Sequence, residues 1–262
     1  MLAAGGDISK CIHAAAEEGY ADMLKLLLEL GVDCGHCDGD GASLIYGAAQ
    51  NGHIDCLQLL LAAGGDVNKC ADNGASPISA AVQKRHLNCL KILLDSGCDV
   101  NKCDDDGVSP IYVAACDGQT DCLKLLLAAG GDVNKCKTDG VSPIYVAAQK
   151  GHADCLHLLL AANGDVNKCD DDGISPIAIT SYNGHAECLK LLLAAGGDVN
   201  KCHNDGTSPI YIAAQNGHAG CLTMLLAANC DPRSSWKGTS ALDIARQRTH
   251  AECVGVLEAA LA

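Results

Sequence analysis

The chain has 262 residues, a formal net charge of −14 and 48% hydrophobic residues, with aromatics at 3% and no phenylalanine. That acidic balance, with no basic run or aromatic-interleaved patch, excludes nucleic acid and anionic membrane surfaces as partners. The longest apolar runs are Leu-Lys-Leu-Leu-Leu-Ala-Ala segments, far short of the ~20 residues of a membrane span, so membrane insertion is excluded as well.

One text organises almost everything that follows. Residues 140–169, GVSPIYVAAQKGHADCLHLLLAANGDVNKC, return with light editing at Gly107, Gly173 and Gly206, and more loosely at Gly41 and Gly74, always 33 residues apart. A constant period of that size predicts stacked supersecondary units, not a closed globule.

The first of these, residues 1–37, is atypical. Its opening MLAAGGDISKC has neither the charged start nor the apolar core of a signal peptide. The same stretch reads like a unit's end, LLAAGGDVNKC, although Cys11 and Cys37 are only 26 residues apart. A hairpin is therefore missing relative to the repeat. Ile12-His13-Ala14-Ala15 reads as a first helix and residues 23–30 as a second. Glu17, Glu18 and Glu29 suit an exposed outer face, so 1–37 is taken as an N-terminal cap; the alternative is a cut from a longer array.

Six regular units follow, at about 38–70, 71–103, 104–136, 137–169, 170–202 and 203–235. Each opens on an acidic turn such as Asp104-Asp105-Asp106-Gly107, where glycine supplies a positive φ. Ser109, Ser142, Ser175 and Ser208 then cap a short helix whose first residue is proline, where the missing N–H costs nothing. That helix, residues 144–150 in the fourth regular unit, ends at Gly151 as a left-handed C′ residue. A second begins near Ala153, with Asp154 in its first turn to suit the dipole. It buries Cys155, Leu156, Leu159 and Leu160 and ends at Asn163-Gly164. Helices this short are marginal alone, so they must bury their faces against each other and the next pair. Residues 236–262 close the chain as a C-terminal cap, with Arg246, Arg248, Glu252 and Glu258 for the polar outer face that terminal repeats need.

The unit resembles the ankyrin repeat, D-x-x-G-x-T-P-L-H-x-A-A-x-x-G-H, then an apolar helix and G-A-D-V-N. The resemblance covers essentially the whole chain, as one domain of residues 1–262. It implies an all-α ankyrin-repeat solenoid of helix-turn-helix units joined by short β-hairpin-like turns. Two departures are systematic. Thr-Pro-Leu-His becomes Ser-Pro-Ile-Tyr at Tyr112, Tyr145 and Tyr211, which removes the family's histidine there. The aliphatic that starts the second helix becomes cysteine, which changes packing and not fold.

The 18 cysteines follow the repeat as two series, Cys56, Cys89, Cys122, Cys155, Cys188, Cys221 and Cys37, Cys70, Cys103, Cys136, Cys169, Cys202. Helix layers stack ~8–10 Å apart, beyond the ~4.4–6.8 Å Cα separation of a disulfide. Reduced thiols and a cytoplasmic, reducing location follow. The second series, placed by the resemblance near the partner-binding side, reads as a ladder of exposed thiols too widely spaced to share a tetrahedral metal.

Other motifs are weighed against their context. Cys34-Gly35-His36-Cys37 has the text of a redox or zinc motif but lacks a strand–helix setting and further ligands. The Gly-His pairs at His53, His152, His185 and His218 precede a helix cysteine by three residues, but that histidine belongs to the ankyrin framework and the cysteine acts as a small hydrophobe. No phosphate loop or nucleophile elbow is present. The chain is thus expected to be a non-catalytic, monomeric protein-binding scaffold without cofactor or metal. By resemblance, partner contacts concentrate at hairpin tips and first-helix ends: Asp105, Asp106, Asp139, Asp171, Asp172 and Asp205 at the tips, and Asp117, Gln149, Lys150, Tyr182 and Asn183 at the helix ends. Tyr182 is the one aromatic among the helix-end pairs, and a basic protein segment is the expected partner. A thiol-based metal or redox protein, and the ankyrin part of a larger multidomain protein, are the alternatives.

Overall fold

A computed structural model describes residues 2–262, with side chains from Ile8 onward. The described residues form sixteen helices and one two-stranded hairpin, and fall into two compact units, 1–132 and 133–262. The first unit holds α1 (Leu2–Glu18), α2 (Ala21–Glu29), α3 (Leu44–Asn51), α4 (Ile54–Ala62), α5 (Pro77–Gln83), α6 (Leu87–Asp95), α7 (Pro110–Cys116) and α8 (Thr120–Ala128). The second holds α9 (Pro143–Lys150), α10 (Ala153–Ala161), α11 (Pro176–Asn183), α12 (Ala186–Ala194), α13 (Pro209–Asn216), α14 (Ala219–Ala227), β1 (Ser235–Trp236), β2 (Thr239–Ser240), α15 (Ala241–Gln247) and α16 (Ala251–Leu261). Within each unit, first helices stack on first helices and second on second, and every pair packs internally.

The local chemistry is as the text dictates. Ser109, Ser142 and Ser175 each accept the backbone N–H three residues on at 3.1 Å, and proline occupies the first helical turn. Gly151, Gly184 and Gly217 end their helices at φ of 77°, 76° and 80°. First helices are buried almost all round: in α9 every residue from Pro143 to Ala148 is buried. Second helices bury a narrower stripe, Cys155, Leu156 and Leu159 in α10. Leu160, expected in that stripe, is only half-buried. At about 100° per residue it lies about 90° from the centre set by the other three. The turns between pairs are hairpin-like, closed by bonds such as Ala71 N–H to Ala75 and His203 N–H to Thr207, 3.0 and 2.9 Å. Regular strand pairing among the described residues occurs at β1–β2, with an isolated bridge at Cys37–Ser43.

Two hydrogen-bond ladders join neighbouring repeats. In the loops after the second helices, Asn68 and Asn101 Oδ1 accept the Asp99 and Asp132 N–H groups at 2.7 Å, and Asn134 and Asn167 accept those of Asp165 and Asp198 at 2.8 Å. At the other end of the first helix the link is histidine. Nε2 of His53 lies 2.7 Å from the Glu17 carbonyl, and those of His185, His218 and His250 lie 3.0–3.1 Å from the carbonyls of Gln149, Tyr182 and Gln215. A carbonyl only accepts, so Nε2 carries the proton. Each bond satisfies a carbonyl that its helix end leaves open. The same ring lies on the preceding repeat's left-handed glycine. A Cβ added at Gly19, Gly52, Gly151, Gly184 or Gly217 would fall within 2.8 Å of the next histidine.

One repeat breaks the pair, on both sides at once. Arg85 holds the glycine position at φ 62°, and the residue that would lie on it is Gln119 instead of histidine. The side chain that excludes an imidazole supplies a different link: Arg85 Nη2 donates to the Asp117 carbonyl at 2.9 Å.

At the N-terminus, α1 continues through Ile8-Ser9-Lys10-Cys11, text that is loop at the end of later repeats. Met1 lies outside the described residues. Glu17, Glu18 and Glu29 are exposed, and so are Tyr20, Met23, Leu26 and Leu30, so this end mixes charge with apolar surface.

Comparing two glycines separates backbone strain from the histidine contact. Gly31 has φ 80° and nothing near an added Cβ, whereas at Gly151 (φ 77°) that atom meets His185. Gly31→Ala should cost about 1 kcal/mol from the left-handed backbone alone, and Gly151→Ala about 1 kcal/mol more from the displaced ring and its lost bond. Urea midpoints decide it; equal losses for the two glycines, or the same cost for Gly151→Ala in a His185→Ala background as in the wild type, would show that the histidine contact does not matter.

Candidate binding surface

The tips are built from short side chains that fold back on their own backbone. The first carboxylate of an acidic turn is structural: Asp38 Oδ1 accepts the Ala42 N–H, Asp104 that of Val108 and Asp170 that of Ile174, all at 2.8 Å. The next residue's N–H reaches back one repeat, Asp105 to the Asn73 carbonyl at 3.2 Å and Asp171 to that of Asp139 at 3.1 Å. This leaves the Asp105, Asp106, Asp171 and Asp172 carboxylates exposed along the tips.

The remaining sequence-chosen residues divide between framework and surface. Asp139 is exposed but pairs with Lys137 at 3.1 Å. Asp117 is half-buried at the C-terminal end of α7, and its Oδ2 accepts from Gln119 at 3.3 Å. Asn183 is half-buried and donates to the Ile179 carbonyl of its own helix at 3.0 Å. Gln149 is half-buried with its carbonyl on His185, while Lys150 next to it is exposed. Tyr182, at the end of α11, is 56% exposed.

Asp205 is exposed yet tightly held. Its Oδ1 accepts the Thr207 hydroxyl at 2.6 Å and N–H at 2.8 Å and lies 2.8 Å from His203 Nδ1. The Thr207 hydroxyl above all, then its N–H and His203, hold this carboxyl down to about 2.

Each unit has a groove between a first helix and the following hairpin. In the first unit it measures about 440 Å³ and is lined by Glu17, Asp38, Asp40 and Asp72 with Tyr46 and Gln50. Among the described residues no cationic side chain lines it. Gly47, where Val146 and Ile212 stand in sister repeats, widens it. In the second unit it measures about 250 Å³, with Ala178, Ile179 and Ile212 as floor, Tyr182 as wall, and His203 and Asp205 at the rim. Tyr182 and Asp205 are thus brought together, whereas Asp105, Asp106 and Asp117 line neither groove. Ala178, His203, Glu17 and Asp38 were not among the partner contacts expected from sequence, although the pattern break at Ala178-Ile179-Thr180-Ser181 and an exposed Glu17 are legible there. The signal for Ala178 was present, as the break in a register that otherwise reads tyrosine at Tyr112, Tyr145 and Tyr211.

The thiols are not the exposed ladder expected of them. Cys37, Cys70, Cys103, Cys136 and Cys169 are half-buried and only Cys202 of that series is exposed. Their S–H groups turn back on their own loops, Cys70 and Cys103 to the Asn68 and Asn101 carbonyls at 3.4 Å. None of the 18 cysteines is in a disulfide. Burial, then Glu187 or Cys253, pushes the buried Cys188 and Cys221 up to about 11, and burial with Asp231 pushes Cys230 to about 12. Among the described residues no three His, Cys, Asp or Glu are placed to hold a metal ion, and no helix is long and apolar enough to cross a membrane.

A family model described as ankyrin repeats (3 copies) matches residues 12–104, 96–170, 157–236 and 177–259. No curated protein matches the chain. Among solved structures, the crystal structure of the human ASB11 ankyrin repeat domain is similar, at 26% identity and a TM-score of 0.72, covering 84% of this chain and 98% of that one.

Two measurements check the electrostatics of these sites. A carboxyl with a depressed folded value keeps its bonds above the unfolded value of about 3.9 and loses them as pH falls through the folded one. The Thr207 amide resonance should therefore titrate near pH 2, and a midpoint near 4 would refute the held state of Asp205. For the thiols, iodoacetamide at pH 7.5 should modify exposed Cys11 and Cys202 at least about a hundredfold faster than Cys188, Cys221 or Cys230; comparable rates by mass spectrometry would show that burial does not protect them.

Proposed function

The chain belongs to the ankyrin-repeat family, and from that premise we propose that it is a non-catalytic scaffold binding a basic protein segment at its hairpin tips and first-helix ends. Ankyrin repeats are protein–protein interaction modules. The observation that carries the finer reading is the groove of the first unit, where Glu17, Asp38, Asp40 and Asp72 gather without a cationic partner. Like charges held together in a concave site raise the local attraction for a cationic side chain. The exposed Asp105, Asp106, Asp171 and Asp172 extend the same sign along the tips.

The framework supports this division of labour. Histidine, asparagine and serine side chains satisfy the backbone groups that stacking leaves open, so tip residues can vary without loss of the fold. A reducing compartment suits the free thiols.

A pull-down from the source lysate, with reductant and chelator present, tests the proposal. It compares the wild type with Glu17→Lys/Asp40→Lys and with Tyr182→Ala/Asp171→Lys/Asp172→Lys. At least one protein retained by the wild type should be lost by a charge-reversed variant, and its contact segment should be rich in lysine or arginine. Retention of the same proteins by all three would overturn the surface assignment. An empty wild-type capture would count against the scaffold reading itself.

A further inference from the structure

Among the described residues six large hydrophobic side chains are exposed, and five of them, Ile8, Tyr20, Met23, Leu26 and Leu30, belong to α1, α2 and the turn between them. The sixth, Tyr182, lies in the other unit. Met23, Leu26 and Leu30 stand at i, i+3 and i+7 along α2 and its C-cap. At about 100° per residue they fall within about 60° of arc, so they form one stripe. Leu30 is 81% exposed where the sister repeats carry the small Ala63, Ser96 and Ala129.

The later repeats of the same unit show what such a stripe does when it is covered. Cys56, Cys89 and Cys122 hold Met23's place and are 1, 1 and 4% exposed, against 38% for Met23. Cys56 Sγ donates to the Ala15 carbonyl of the repeat before it at 3.7 Å, so this is the direction along which repeats stack. Leu60, Leu93 and Leu126 are fully buried where Leu27 is half-buried. The outer side of α2 is thus a stacking face turned to solvent, without the polar surface that a terminal repeat needs. The last helix pair of the second unit, α15 and α16, does carry one: Arg246 pairs with Glu258 at 2.7 Å, and Arg248 and Glu252 are exposed.

We propose that this face pairs with the same face of a second copy of the chain, in a two-fold dimer centred on Met23, Leu26 and Leu30. An isologous contact lays the apolar stripe on itself and covers it in both copies at once, continuing the helix-on-helix stacking of the interior. A head-to-tail contact sets the stripe against the charged side of α15 and α16, burying Arg246 and Glu258 against leucine. The rim suits a self-contact: exposed Asp22, Lys25 and Glu29 put both signs beside the stripe, so each copy offers the other its complement. An apolar patch of roughly a few hundred Å² falls short of the ~800 Å² per partner of a standard interface, so the dimer is weak and concentration-dependent. The monomer expected from sequence is the dilute form. The inference goes beyond the basic-segment reading and shares no residue with it.

Sedimentation velocity of the full chain tests this. A monomer–dimer equilibrium should appear with a dissociation constant on the order of 10–100 µM. Each copy carries a net charge of −14, so added NaCl should tighten the dimer by screening, the reverse of its effect on a basic partner. Leu26→Glu and Leu30→Glu, at exposed positions, should each weaken it at least about tenfold while the urea midpoint stays. Methionine labelled with 13C at the methyl group locates the contact: the Met23 resonance should shift with concentration and that of Met224 should not. A monomer up to about 500 µM, a dimer equally tight in both variants, one that loosens with salt, or an unmoved Met23 methyl would overturn the proposal. So would a monomeric chain that loses a lysate partner on Leu26→Glu, which would assign the face to a different protein. The basic-segment reading is decided separately, by the Glu17→Lys/Asp40→Lys capture.

Discussion

The stacking of this chain depends on an imidazole laid over a left-handed glycine. The first helix of a repeat ends with open carbonyls, and the next repeat's histidine donates Nε2–H to one of them. For the ring to reach that carbonyl it must pass where a Cβ would stand, so glycine is required twice, for its φ and for its missing side chain. The exception shows the coupling. Where Arg85 replaces glycine, Gln119 replaces histidine, and the guanidinium spans to the next helix end instead. Gln119 is then left with a buried Oε1 that has no partner, so the replacement link is the poorer one.

With stacking carried by histidine and asparagine, the systematic loss of the family's other histidine has little effect on register. Tyrosine in that place does related work by other means. A buried ring fills the layer, as Tyr145 and Tyr211 do. Burial first, and the Asp170 carboxylate after it, push the Tyr145 phenol well above its usual range. Where the tyrosine becomes alanine, the fold persists because the ladders do not pass through it, and Ala178 is itself fully buried.

The acidic tips divide by the same logic. Asp38, Asp104 and Asp170 are consumed in closing their own turns, and Asp205 by Thr207 and His203. The carboxylates that remain for a partner are those one or two places further along each turn, together with Glu17 at the end of α1. Net charge alone does not make this distinction; hydrogen-bond bookkeeping does.

The amino-acid sequence by itself determined the repeat, its phase and its helix ends. Those follow from local chemistry: a serine before proline, a glycine at a left-handed position, and apolar residues at helical spacing. It also sufficed for the Gly-His pair as framework and for Tyr182 and the tip aspartates as surface. What it did not determine is which of those groups are already engaged: the framework partners lie 31 to 36 residues away in the chain, as in Asp165 to Asn134 and His185 to Gln149, and the tip carboxylates are taken up two to four residues away by bonds that only the folded hairpin fixes. The exposure of the second cysteine series was misjudged for a related reason, since each thiol turns back onto its own loop. Leu160 was misplaced because a stripe's edge depends on the neighbouring helix. The groove beside Tyr182 exists only once the next hairpin is packed against α11. Local pattern specifies the unit; the void or bond between units is a property of two surfaces meeting, and only the tertiary structure decided it.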